Sequence, residues 1–200
     1  VSIHALLGEK IPVIIVPNKH LFSTRSEVHG VIGYDIFIKF EIEFNAKRQL
    51  ITFRPASTAA LSEGYTRIPL RIEDCKPLIQ SKVFFSRPEE TNCLLMLDTG
   101  SALGLLLRTA DAERFDPDVP KQVLGKGLCG NVMGTVTWAQ KLILETFEIK
   151  ALNAGISWSD SHAHGSLGMD VMKNYSIVLN YCKSYAGFKK LPKRSKKQFI

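Results

Sequence analysis

No apolar run in this sequence approaches the roughly 18 residues that a membrane-spanning helix needs. The longest near the start, "IPVIIV" (Ile11–Val16), is too short and wrongly flanked for a signal peptide. Cysteine is scarce: Cys75, Cys93, Cys129 and Cys182 stand too far apart for a zinc knuckle or a CxxC redox pair. Buried thiols are the default reading. In an oxidising compartment one or two disulfides could form, and the spacing does not choose among the pairings. Acidic residues are outnumbered, 19 against 26 Lys and Arg, but the excess crowds into "KKLPKRSKKQFI" (Lys189–Ile200). That stretch has no apolar face and no interleaved aromatics, so it reads as a solvated tail and not as a nucleic-acid surface. The glycines of "GKGLCGNVMG" lack the Lys-Ser/Thr ending of a phosphate loop, so a mobile hairpin is the better reading. The chain also begins at Val1 without an initiator Met, which suggests a processed or truncated piece and leaves the compartment open.

What the sequence does contain is a repeat. "HGVIGYDIFIKFEIEFNAKRQLITF" (His29–Phe53) lies over "HGSLGMDVMKNYSIVLNYCKSYAGF" (His164–Phe188) without a gap, at an offset of 135 and with seven identities. The identical pairs include His29/His164, Gly30/Gly165, Gly33/Gly168, Asp35/Asp170 and Asn45/Asn180. Two such units in one chain mean a duplicated substructure. Each has the same local grammar: a glycine corner, about one helical turn, then a hairpin, with the first hairpin's turn at Asn45 to Arg48. Elsewhere "TRIPLRI", "SKVFFS", "CLLMLD", "TVTWAQKLIL" and "FEIKAL" are short and rich in β-branched, aromatic or aliphatic residues. The expected class is all-β with short helices.

One stretch carries chemistry. In "CLLMLDTGSALGLLLR" (Cys93–Arg108) a lone carboxylate, Asp98, interrupts an apolar run. A buried, unpaired carboxylate is costly, so such a residue is neutralised, paired or placed for reaction. A tight turn through Gly100 would let backbone amides and the Ser101 hydroxyl reach its oxygens. Alone it can take or give one proton, so a reaction that needs both at once needs a second group beside it.

The string Asp98-Thr99-Gly100-Ser101, delivered by one apolar strand and followed by another, with a "GSLG" corner near the end of the unit, resembles the aspartic proteases of the pepsin and retropepsin type, especially the bacterial two-lobed aspartyl protease family. The resemblance implies an all-β, acid-protease (pepsin-like) double-lobed fold whose first lobe is incomplete in this chain. Residues 1–53 would be the C-terminal half of that lobe, 54–64 a linker, 65–190 the second lobe and 191–200 a basic tail. It implies that Asp98, Thr99, Gly100 and Ser101 form the catalytic turn, with Ser166, Leu167 and Gly168 bracing it. Ser166 departs from the apolar residue of the family pattern, whereas Val31, Ile32 and Gly33 of the first repeat match it. Thr99 would fasten the turn to its partner turn. The hairpin Gly125–Val136 would be the flap, with Asn131, Val132 and Met133 against substrate.

No second D-[ST]-G exists in the sequence. Shifting Asp98 back by the repeat offset puts the partner about 37 positions ahead of Val1. The implied enzyme is therefore an aspartic-type endopeptidase, a hydrolase acting on a peptide or protein, needing no metal or other cofactor. Its second Asp would come from a missing first-lobe segment or a second chain, and this fragment alone would be inactive. Family analogy points to export, to the periplasm or cell envelope. The alternative is a non-catalytic peptide-binding or assembly domain of the same fold.

Blander readings compete at several positions. Asp98 could merely cap a turn. Asp160, His162 and His164 could suggest a metal site, but His164 matches His29, which has no neighbouring His, so a corner role is more economical. Asp35 and Asp170 follow a Gly at a helix start, where carboxylates cap free amides. Trp138 and Trp158 read as core or rim residues, Trp138 being near enough to the hairpin to reach a cleft.

Overall fold

The computed structural model describes residues 2–3, 6–7, 9, 30–86, 90–110, 120–127, 130–159 and 165–192. His29, Cys129, Asp160, His162, His164 and the tail beyond Pro192 lie outside the described residues. The dipeptide strands β1 (Ser2–Ile3) and β2 (Leu6–Leu7) pair antiparallel. Helix α1 (Tyr34–Phe37) leads into the hairpin of β3 (Phe40–Asn45) and β4 (Leu50–Pro55). Then follow β5 (Thr66–Pro69), β6 (Arg71–Glu73), β7 (Lys76–Phe84), β8 (Glu90–Leu97), β9 (Leu105–Thr109), β10 (Gln122–Gly127), β11 (Gly130–Leu144), β12 (Phe147–Trp158) and β13 (Gly165–Leu167). Helix α2 (Met169–Met172) and the hairpin of β14 (Tyr175–Asn180) and β15 (Tyr185–Lys190) complete the described chain. The fold is all-β, with two short helices among the described residues.

Eight strands form one sheet in the order β10-β11-β12-β9-β13-β8-β7-β6. Because β7 also pairs with β11, with Leu142 opposite Val83, six of these strands close into a ring. Closure leaves those strands without a free edge and gives their inward side chains an enclosed core. Ile79, Val83, Leu95, Leu105, Leu142, Ile156 and Leu167 fill it. Along β7 the alternation Ile79, Ser81, Val83 inward against Gln80 and Lys82 outward is the period-two pattern of a strand with one dry face.

The second large sheet runs β4-β3-β14-β15-β5 and is antiparallel throughout. It joins the two repeats directly. Ile42 pairs with Leu179 and Phe44 with Ile177, while Glu43 stands opposite Val178. At an offset of 135, Leu179 is the counterpart of Phe44 and Ile177 of Ile42. The pairing is therefore its own mirror under exchange of repeats, and a local two-fold axis passes through the Glu43–Val178 pair. Phe147 locks this sheet to the ring through an edge-on contact with Tyr175 and a tilted one with Phe188, at centroid distances of 5.2 and 5.5 Å.

Local expectations meet the structure in instructive ways. The Asn45 turn forms, with the Arg48 amide donating to Asn45 Oδ1 at 3.1 Å. "TRIPLRI" is not one strand: it breaks at buried Leu70, where the chain leaves the five-stranded sheet for the ring. The small, polar stretch after β4 crosses from one edge of the five-stranded sheet to the other, and its Ala56 and Ala59 are buried. Asn180 Nδ2 and Lys183 Nζ hold it by donating to the carbonyls of Ala56 and Ala59. Asp35 and Asp170 sit in the first helical turns but make no capping hydrogen bond; Asp170 pairs instead with Lys173. Four-residue helices are short enough for packing and backbone bonds to hold them. Trp138 and Trp158 are exposed and belong to no core.

Candidate active site

Strand β8 lies between β7 and β13 and carries Leu95 and Leu97 inward, so the residue after Leu97 emerges at a fixed end of the ring. That residue is Asp98. The chain turns at once, with the Ser101 amide donating to the Asp98 carbonyl at 3.2 Å and the Gly100 amide to Asp98 Oδ1 at 2.9 Å. A carboxylate that accepts from the amide two residues on is held by its own turn. Gly100 has the right size for this approach, since a Cβ there would stand 3.2 Å from the same Oδ1. Asp98 and Ser101 are half-buried, and Thr99 and Gly100 are exposed. Of the donors expected at the carboxylate, the Gly100 amide is in place, whereas Ser101 donates its backbone amide to the Asp98 main-chain carbonyl and not to the carboxylate.

The turn is braced from behind by β13 and the corner after it. The Asp98 amide donates to the Leu167 carbonyl at 3.0 Å, Met169 to the Ser101 carbonyl at 2.8 Å, and Gly168 to the Gly104 carbonyl at 3.0 Å. Only glycine fits at this crossing. A Cβ on Gly168 would lie 2.1 Å from Leu103 O, and one on Gly165 would lie 2.3 Å from Leu106 O. β13 is parallel to β8 and antiparallel to β9, so it fills the slot between the strand entering the Asp98 turn and the strand leaving it. Ser166, where an apolar residue was expected, is buried in that slot.

Strands β10 and β11 form the glycine-bearing hairpin. Asn131 stands opposite Lys126, Val132 opposite Gly125, and Met133 opposite Val123, with a register shift at Leu124. Asn131 and Met133 are exposed and Val132 half-buried, so none is packed in the core. Sequence reasoning missed how the base is anchored. The Leu124 side chain lies over Gly134 and Gly155, which have no side chains to displace it, and Ser157 Oγ donates to the Met133 carbonyl at 2.9 Å. The signal was present as two glycines facing one leucine, but it needed the strand pairing to be read. Val123, exposed across from Met133, was also missed.

Away from Asp98, the five-stranded sheet holds a polar network. Buried Glu41 accepts from the Tyr185 hydroxyl and from Asn180 Nδ2, and lies 3.5 Å from Arg54. Glu43 accepts from Arg54 at 2.8 Å, Tyr65 at 2.8 Å and Ser176 at 3.1 Å. Burial pushes the Glu43 carboxyl up, but these three donors together hold it below its ordinary value. Burial, then the neighbouring Glu41, pushes the Tyr185 phenol up to about 12. Among the described residues no group of three or more His, Cys, Asp or Glu is placed to hold a metal ion, and no helix is long and apolar enough to cross a membrane.

No family model matches the sequence, and no curated protein matches it. Among solved structures, the chain is similar to a retropepsin-like aspartic protease from Rickettsia conorii, at 17% identity and a TM-score of 0.43, over 63% of this chain and 99% of that one. It is similar also to basic 7S globulin from soybean, at 14% identity and a TM-score of 0.45, over 74% of this chain and 50% of that one.

Proposed function

We propose that this chain carries one catalytic carboxylate of an aspartic-type endopeptidase of the pepsin and retropepsin type, Asp98 being one of two carboxylates that share a proton across a water molecule. The observation that carries the reading is the turn itself: a carboxylate at the mouth of a closed ring, held by the Gly100 amide and braced by Leu167 and Gly168. Two adjacent carboxylates cannot both ionise easily, so one serves as base and the other as acid. The ionised member takes a proton from water, the water oxygen bonds to the peptide carbonyl carbon, and the protonated member gives its proton to the carbonyl oxygen. Collapse of the resulting diol, with a proton passed to the nitrogen, breaks the C–N bond.

In this reading Thr99 fastens the turn to its partner turn, and Ser101 and Gly100 set the carboxylate's orientation. Asn131, Val132 and Met133 close over an extended peptide, whose backbone hydrogen bonds supply affinity while alternate side chains supply selectivity. The second carboxylate comes from first-lobe polypeptide outside these residues or from a second chain. One observation favours a second reading, a non-catalytic peptide-binding or assembly domain: the sequence holds a single D-[ST]-G.

The test is a peptidase assay on the product of the complete reading frame, paired with Asp98→Asn. Asparagine keeps an oxygen for the Gly100 amide and nearly the same volume, so the fold should survive while hydrolysis is lost. Turnover by the variant at a fair fraction of wild type, free of contaminating protease, would end the dyad assignment. No turnover by the unsubstituted protein, with peptide binding retained, would favour the binding domain.

A further inference from the structure

Strand β11 pairs with β12 from Leu144, opposite Phe147, back to Thr135, opposite Ile156, and its residues 130–134 continue past that last pair with β10 as their ladder partner. Because β10 ends the strand order of this sheet, whatever fixes the angle of the projecting hairpin must act where β11 leaves β12. Leu124 acts there. It is the residue that the register shift adds: Val123 pairs with Met133 and Gly125 with Val132, and Leu124 has no partner across the hairpin. A bulge re-aims the side chain it adds.

Here the bulge aims Leu124 over β11 at β12. Its Cδ1 methyl stands 2.7 Å from where a Cβ of Gly134 would be and 2.8 Å from where a Cβ of Gly155 would be. One methyl thus fills the space of two missing side chains. Leu106, buried and paired with Gly155 across β9 and β12, forms the far wall, its Cδ1 lying 3.5 Å from the same point on Gly155. Beside this notch the buried Ser157 hydroxyl donates to the Met133 carbonyl at 2.9 Å. Lifting the hairpin would empty the notch and take away that acceptor, and both changes are unfavourable.

We infer that Leu124 is a positioning residue: seated in the Gly134–Gly155 notch, with Ser157 as a polar tie, it sets the angle at which the hairpin leaves the ring. The inference rests on the reading of this hairpin as the element that closes over a peptide, and it names the residue that places Asn131, Val132 and Met133. The notch shares its strands with the carboxylate. Leu106 lies on β9, which leaves the Asp98 turn, and pairs with Ser166 of β13, which braces that turn. The angle of the hairpin is therefore set against the same strands that hold Asp98. The fit also depends on reach. Valine is a better strand former than leucine but ends one carbon short of the notch, whereas methionine spans the distance.

The test is a double-mutant cycle read by hydrogen exchange in the 200-residue chain. Gly155 is the clean partner, since the three atoms nearest its added Cβ are all Leu124 and Leu106 methyls, whereas a Cβ on Gly134 would stand 2.1 Å from Ile156 O. Leu124→Val and Gly155→Ala should each speed exchange of the amides of Gln122–Gly127 and residues 130–134 about tenfold or more, leaving those of β7 and β8 unchanged. Leu124→Met should exchange as the unsubstituted chain does. Gly155→Ala added to Leu124→Val should cause no further loss, because the methyl it opposes is gone. In the product of the complete reading frame, Leu124→Val should raise KM with kcat nearly kept. Hairpin amides that stay protected in Leu124→Val, losses that add in the double variant, a loss that spreads to β7 and β8, or an unchanged KM in an active enzyme would each overturn the inference. If the longer product has no peptidase activity and its hairpin amides still follow the cycle, the positioning residue stands and the peptidase reading alone ends.

Discussion

Replacing Gly168 by alanine should be among the most damaging single-methyl changes in this chain, and the same replacement at Gly33 should be harmless. At 168 the added Cβ would stand 2.1 Å from Leu103 O and 2.7 Å from Ser101 O, both backbone atoms of the Asp98 loop. An ordinary carbon–oxygen contact is about 3.3 Å, so the loop must retreat by roughly 1 Å. Forcing a methyl into a packed site costs about 1–3 kcal/mol. The retreat also stretches the Met169–Ser101 and Gly168–Gly104 backbone bonds, each contributing about 1 kcal/mol. The sum is about 3–5 kcal/mol, a loss of roughly 10 °C in melting temperature for a chain of this size. At Gly33 the backbone conformation is open to any residue and no atom of the described residues lies within 4 Å, so alanine should stabilise the 200-residue chain by about 0.4–1 kcal/mol through the unfolded state. Thermal melts followed by far-UV circular dichroism, with urea titration for the free energies, measure both. A Gly168→Ala variant within 0.5 kcal/mol of wild type by that titration, or equal losses at the two positions, would refute the crossing argument.

Arg54→Ala should cost about 3 kcal/mol in urea unfolding, because it leaves buried Glu41 without its cation. Glu43 is held below the ordinary value of 4.5, so its contribution is fully present above that pH and is lost as pH falls through the lower folded value; Glu43→Gln should flatten the acid limb of stability measured between pH 5 and 2. Burial pushes the Cys93 thiol up to about 12, so site-resolved alkylation at pH 8 should label exposed Cys75 and Cys182 quickly and Cys93 only on unfolding. Under the proposed function, in which the hairpin closes over substrate, Met133→Ser should raise KM with little change in melting temperature, Met133 being exposed.

Much of this molecule was legible in the sequence because it depends on neighbours along the chain. The Asn45 turn needs an Asx side chain three residues from an amide, strands need period-two patterns, and the Asp98 turn needs Gly100 two residues on. The repeat likewise announced itself by residue identity at a fixed offset. What tertiary structure decided was how these pieces meet. The sequence did not say that β3 would pair with β14 about a two-fold axis at Glu43 and Val178, because pairing between repeats is chosen by burial on both faces of a sheet. Nor could it place the break at Leu70, where one run serves two sheets, or the closure of the ring by β7 on β11. The paired glycines show the division most plainly. Gly33 and Gly168 are the same letter in the same local conformation, yet Gly168 is crowded by a carbonyl that would lie 2.1 Å from its Cβ while Gly33 has no neighbour within that reach among the described residues. Local conformation follows from the residue and its near neighbours; what a missing Cβ is for depends on which distant strands come to lie beside it.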